Sequence, residues 1–149
     1  MTAEPYSTTI RIAAAPPTVY EHFIRPDLLV GWMGDYAVLD PQPGGEFTVD
    51  INGIPVGGRY LELDPPHRLL ISWGHAGSDE FPPGSSRVEI TLTPEADETI
   101  VELRHTGIPR SQSDQHALGW PHFLGRLAVA ASGRSPGPDP WSNEPPAGP

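Results

Sequence analysis

The chain contains no cysteine and no lysine. The first absence excludes a disulfide framework and any thiolate metal site, and it leaves the redox compartment unreadable from thiol usage. The second means that all nine basic residues are arginines, set against 19 acidic residues for a formal charge of −10. That balance repels phosphate backbones and anionic head groups. No local basic patch offsets it, so neither nucleic acid nor a membrane surface is expected as a partner. The lack of lysine beside abundant Pro, Ala, Gly and Arg is a compositional bias of the kind a GC-rich genome imposes and carries no functional signal. Long apolar runs are missing too: nowhere do 18 apolar residues follow one another, and the N-terminal MTAEPYSTT has no basic region ahead of an apolar stretch. The expectation from these absences is a soluble, cytoplasmic protein.

What is present fits one domain and a tail. At 149 residues the chain can bury roughly two-thirds of its unfolded surface, enough for a core without staples. Residues 132–149, SGRSPGPDPWSNEPPAGP, hold six prolines and three glycines in 18 positions, with Trp141 the one large apolar group. Proline removes backbone donors and almost nothing is left to bury, so this segment reads as a disordered tail, with Trp141 folding back or docking a partner as the alternative.

Within residues 1–131, Ile10 and Ile12 mark a first strand, and Pro16-Pro17 open a helix whose apolar face is Val19, Tyr20, Phe23 and Ile24. Pro26 restarts a second short helix carrying Leu28, Leu29, Trp32 and Met33. From Tyr36 the period becomes two, with strands expected at 36–39, 47–51, 58–63, 69–73, 87–93 and 99–105. Val88, Ile90 and Leu92 share a face, as do Val101, Leu103 and His105, while Glu89, Thr91, Glu102 and Arg104 point the other way. This is the pattern of an antiparallel sheet with one wet face. A final helix over about 113–131 places Trp120, Phe123, Leu124, Leu127 and Ala131 on one face. Pro121 either kinks this helix or forms its true first turn.

The order of one strand, two short helices, six strands and a long C-terminal helix is that of the helix-grip fold, an α+β architecture in which a curved antiparallel sheet of about seven strands wraps the last helix. The segments PPTVYEHFIRPDLLVGWMG (16–34), GRYLELDPPHRLLISWG (58–74), SRVEITLTP (86–94), VELRHTGIP (101–109) and GWPHFLGRL (119–127) resemble those of the START-related SRPBCC superfamily, to which Bet v 1-like proteins also belong. Within it the chain is most similar to the branch named after the C-terminal domain of the Hsp90 ATPase activator. The resemblance covers residues 5 to about 131 and implies an internal pocket more than a particular reaction. Two positions depart from the family pattern. Its Trp-Trp pair is Trp32-Met33 here, and Pro121 interrupts a helix that is usually continuous. Methionine in place of a ring implies a more adaptable opening.

On this reading the inner lining comprises Phe47, Val49, Leu61, Leu63, Leu69, Ile71, Trp73, Val88, Ile90 and Leu103, with Trp32 at the mouth and Trp120, Phe123, Leu124 and Leu127 as the cover. Plain core packing is the alternative for each one. Inward polar residues say more, since burying one without a partner costs about 1–3 kcal/mol. Arg59 and His105 qualify, and His116 lies one turn before Trp120 on the same helical face. Arg59 would pair an anionic or carbonyl-bearing ligand or snorkel to the rim. His105 would contact a ligand oxygen, act as an acid or base, or be a satisfied structural histidine. A slip of one residue in register would turn Tyr60 and Glu62 inward instead.

No catalytic constellation is recognisable. The histidines His22, His67, His75, His105, His116 and His122 lack metal-ligand spacing, so no metal site is expected. G-x-S-x-G, the P-loop and G-x-G-x-x-G are all missing, and no cofactor is expected. Asp79-Glu80 and the acidic residues of 95–98 read as solvated connections. Three functions from different classes follow. The first is binding of a small, largely hydrophobic metabolite, polycyclic or polyketide-like. The second, implied by the resemblance, is a polyketide cyclase or aromatase using His105, Tyr60, Glu62 or Arg59, with resistance to an enediyne-type metabolite as a special case. The third is a co-chaperone-like module contacting Hsp90, for which the second domain of Hsp90 activators finds no room in this chain.

Overall fold

Proline sets both early helix boundaries. In the computed structural model, which describes residues 4–140, strand β1 (Tyr6–Ile12) leads into helix α1 (Pro16–Ile24), with prolines in its first turn. Arg25 then takes an extended conformation (φ −110°, ψ 123°), as a residue preceding proline should, and helix α2 (Pro26–Leu29) starts afresh. The second helix is shorter than its apolar spacing suggests. It is one turn long, and Trp32 and Met33 lie beyond it in a turn, both buried. Gly34 ends this turn at φ +78°, where a Cβ would lie 2.6 Å from the Asp50 carbonyl oxygen.

Six more strands follow: β2 (Tyr36–Leu39), β3 (Glu46–Ile51), β4 (Ile54–Asp64), β5 (Arg68–His75), β6 (Ser86–Glu95) and β7 (Glu98–Thr106). They form one antiparallel sheet in the order β1-β7-β6-β5-β4-β3-β2. Between β3 and β4 the turn is Asn52-Gly53, both at positive φ (54° and 87°), the pairing that a two-residue hairpin with native strand twist requires. Helix α3 (Arg110–Ala131) then crosses the inner face.

The faces of β5, β6 and β7 match the expectation. Ile71 pairs with Val88, Leu69 with Ile90, Val88 with His105 and Ile90 with Leu103, and all six of these residues are buried. On β3, Phe47, Val49 and Ile51 are buried in the same way.

Strand β4 does not match. Tyr60 pairs with Ile71, but Glu62 pairs with Leu70, so Leu61 is an extra residue in a β-bulge. A bulge shifts the alternation by one. Counting back by two from the inward Leu63 therefore fails at Leu61: Tyr60 is the fully buried side chain, Leu61 is only half-buried at the bulge, and Arg59 is exposed on the outer face. The inward placement of Arg59 and Leu61 is corrected accordingly. Glu62 also faces out, in an ion pair with Arg68 at 2.9 Å.

Helix α3 buries Trp120, Phe123, Leu124, Leu127 and Ala131 against the sheet, each large side chain contributing about 1.5–3 kcal/mol. It begins three residues earlier than the apolar pattern does, and Pro121 lies inside it rather than at its first turn. Pro121 and Ala117, whose carbonyl loses its helical partner, are both exposed, so water can solvate the freed group. Beyond the helix the chain turns back. Arg126 donates to the carbonyls of Trp32 (3.2 Å) and Gly137 (2.8 Å), and Asp139 bonds His122 of α3 (2.8 Å) and Asn52 of the β3–β4 turn (3.4 Å). Trp141 and the rest of the segment to 149 lie outside the described residues.

Candidate functional site

Where α3 meets the sheet, the interior holds a small apolar cavity of about 10 Å³, lined by Met33, Ile51, Trp73, His116, Gly119, Trp120 and Phe123. That is room for one water-sized group. Of the residues expected to line a pocket, Trp73, Trp120 and Phe123 do so. Trp32, Phe47, Val49, Val88, Ile90, Leu103, His105, Leu124 and Leu127 are buried in the core around it and pack against one another. Trp32 is held in place by donating to the His22 carbonyl (3.0 Å) and by an edge contact with Phe23.

Four of the lining residues escaped the expected ligand-contact set. Met33 lies beyond α2 beside Trp32 and is buried. Ile51 continues the inward alternation of Phe47 and Val49 and could have been found by it. Gly119 offers only backbone, and His116 lies four residues before Trp120, a spacing that already placed it on the inner face. Phe81 is also fully buried, packed edge-on against His75 and His116 from the β5–β6 connection.

His105 is fully buried and satisfied on both ring nitrogens. Trp120 donates its indole N–H to Nδ1 (3.1 Å), and an indole nitrogen can only donate, so Nδ1 carries the lone pair and Nε2 the proton. Nε2–H then donates to Ser86 Oγ (2.8 Å), whose own proton goes to the Trp73 carbonyl (2.8 Å). Burial, and secondarily the neighbouring His116 and His75, pushes the His105 pKa well below its usual value. Through these bonds the neutral ring joins β5, β6, β7 and α3.

His116 differs. Its Nδ1–H donates to the Gln112 carbonyl (2.9 Å), which leaves Nε2 as an acceptor, buried and with no partner among the described residues. Its pKa is pushed down to about 4, mainly by burial, with the Gln112 bond opposing and His75 assisting. Trp73 Nε1, a donor, is likewise buried without a partner.

The groups that a cyclase would need do not converge. Arg59 lies outside, donating to the Gly44 carbonyl (2.9 Å) beside an open outer groove of about 460 Å³ shared with Glu46, Thr48 and Ser72. Glu62 is outside too. The Tyr60 hydroxyl donates to the Phe23 carbonyl (2.7 Å), and its pKa is raised by burial. Among the described residues no group of three or more His, Asp or Glu side chains is placed to hold a metal ion, and no helix is long and apolar enough to cross a membrane.

Comparison with known proteins places this architecture. No curated protein matches the sequence. Among solved structures, the chain is 38% identical to an AHSA1-like protein from Rhizobium etli, with a TM-score of 0.70 over 93% of this chain and 89% of that one. It is 28% identical to CalU16 from Micromonospora echinospora, with a TM-score of 0.76 over 94% and 71% of the two chains. It is 26% identical to DynU16, a protein in the dynemicin biosynthetic locus, with a TM-score of 0.73 over 85% of this chain. Here the match spans only 46% of the longer partner. Residues 13–132 match the family model described as Activator of Hsp90 ATPase homolog 1-like protein. With the helix-grip architecture in place around them, these residues make the chain a member of the Activator of Hsp90 ATPase homolog 1-like protein family.

Proposed function

We propose that this protein binds a small, largely hydrophobic metabolite between α3 and the inner face of the sheet. The observation that carries the proposal is the apolar cavity bounded by Met33, Trp73, Trp120 and Phe123, where α3 meets the sheet. The similarity to a protein of the dynemicin biosynthetic locus supports a secondary metabolite as the class of ligand.

The closed interior is smaller than the ligand. A cavity of about 150 Å³ is what takes one benzene ring, against about 10 Å³ here, so binding requires the lining to move. Met33 is suited to that, because an unbranched thioether with three rotatable bonds repacks at low cost. Burial of about 300 Å² of ligand apolar surface yields roughly 7–8 kcal/mol before association and ordering costs, which sets affinity near micromolar.

The test is NMR titration of the tryptophan indole N–H resonances with a panel of aromatic polyketides, fatty acids and steroids. Saturable shifts at Trp73 and Trp120 with one class of compound are expected. No shift at either resonance up to about 1 mM of any of them, a range covering all but the weakest binding, would overturn the proposal.

A further inference from the structure

Helix α3 contains two glycines in opposite settings. Gly125 is on the exposed face, and a Cβ built on it meets nothing within 4 Å. Gly119 is buried and borders the cavity, with His116 three residues before it and Phe123 four residues after it, both also in the lining. That spacing puts position 119 on the inner stripe of the helix, between those two side chains. Across the cavity from it stand Met33, Ile51 and Trp73. Glycine is the least favourable residue after proline in a helix interior, and alanine is the most favourable. At a buried position alanine also adds a methyl group of apolar burial. Stability alone therefore favours alanine at 119, where the void of about 10 Å³ lies against bare backbone.

We infer that Gly119 is the specificity-determining residue of the metabolite site, its missing side chain leaving the backbone of α3 as the seat for a flat aromatic ring. This rests on the metabolite-binding reading above and narrows its ligand class by shape. The accessible lining is apolar, so recognition rests on fit and on contact between rings. Trp73, Trp120 and Phe123 surround the seat, and aromatic faces and edges favour another aromatic ring over a saturated one of the same carbon count. A planar ring is also the thinner of the two, and when Met33 moves aside it can lie closer to bare backbone than to any side chain. A Cβ at position 119 occupies the seat itself.

The experiment titrates the full chain, Gly119→Ala and Gly125→Ala with 2-naphthol and with decahydro-2-naphthol, its saturated counterpart carrying the same hydroxyl. The indole N–H resonances of Trp73 and Trp120 report binding, and urea unfolding is measured on each protein. Wild type and Gly125→Ala should bind naphthol alike and about tenfold tighter than the saturated alcohol. Gly119→Ala should bind naphthol about tenfold more weakly than wild type, the effect of one methyl group in an apolar pocket, and its preference for the flat ring should shrink. The urea midpoint should rise in both alanine variants, because helix propensity improves in both and the new methyl at 119 enters open space. A midpoint below wild type in Gly119→Ala shows that glycine is there to let α3 pack on the sheet, and it overturns the inference. Unchanged naphthol affinity, or an unchanged preference over the saturated alcohol, overturns it too and leaves the pocket standing. If the wild type binds neither alcohol the inference falls, and the metabolite reading falls with it only when the wider panel also leaves both indole resonances unmoved.

Discussion

The indole N–H of Trp120 reaches Nδ1 of His105 across 3.1 Å, and that bond fixes the tautomer of the histidine while tying α3 to β7. Through Ser86 the same ring reaches the backbone of β5, so one imidazole holds the helix to three strands. Trp120→Phe removes the donor and leaves Nδ1 buried and unpaired. The expected cost is about 1–3 kcal/mol in urea unfolding, and a loss within experimental error would mean that the network contributes nothing to stability.

Stability should fall with acid in a window set by the buried histidines. His116 titrates near 4 in the folded chain and near 6.5 when unfolded. Between these values the unfolded chain binds a proton that the folded chain refuses, so stability is full above 6.5, declines as pH drops, and levels off below about 4. The loss from this one group is of order 3 kcal/mol, and His105, shifted in the same direction, adds to it. Urea midpoints measured across the window should show the decline, and His116→Phe should make it shallower. An unchanged slope in that variant would place the acid sensitivity elsewhere.

Arg59→Ala should leave ligand affinity untouched. The guanidinium is on the outer face with one exposed bond to Gly44, so its removal should change stability by no more than about 0.5 kcal/mol. A tenfold or greater loss of affinity for an aromatic ligand would show instead that the side chain reaches the pocket.

Tyr60→Phe tests the bulge. The hydroxyl of Tyr60 satisfies the Phe23 carbonyl beneath α1, and without it that buried acceptor is left unpaired at a cost of about 1–3 kcal/mol. If Leu61 rather than Tyr60 faced inward, the substitution would be neutral in thermal and chemical unfolding.

The segment after α3 is tethered through Asp139, which touches both His122 and Asn52 in a largely buried setting. In Asp139→Ala, backbone relaxation should report faster motion over 133–139, with a stability loss of about 1–2 kcal/mol. Order parameters identical to wild type would show that Arg126 alone holds the segment.

Much of the fold was legible because its signals are local. Alternation in 87–105 gives the faces of β6 and β7 directly, and the inner positions of Trp120, Phe123, Leu124 and Leu127 follow from helical spacing. Arg59 was misplaced for an equally local reason. Alternation counted through LEL assumes an unbroken ladder, and the bulge at Leu61 depends on how β4 meets β5. The site was legible in part. His116 was visible as an inward residue, but its unpaired nitrogen follows from its bond to Gln112 and from what fails to reach Nε2.

Sequence alone determined the order of elements, the inner faces of the regular strands and the apolar stripe of α3, since each rests on neighbours a few residues apart. Tertiary structure alone decided that Tyr60 replaces Arg59 in the interior, that His105 is consumed by its own network, and that Trp73 and His116 border one small cavity. Those outcomes depend on which groups from distant parts of the chain come within hydrogen-bonding reach, and no periodicity encodes that.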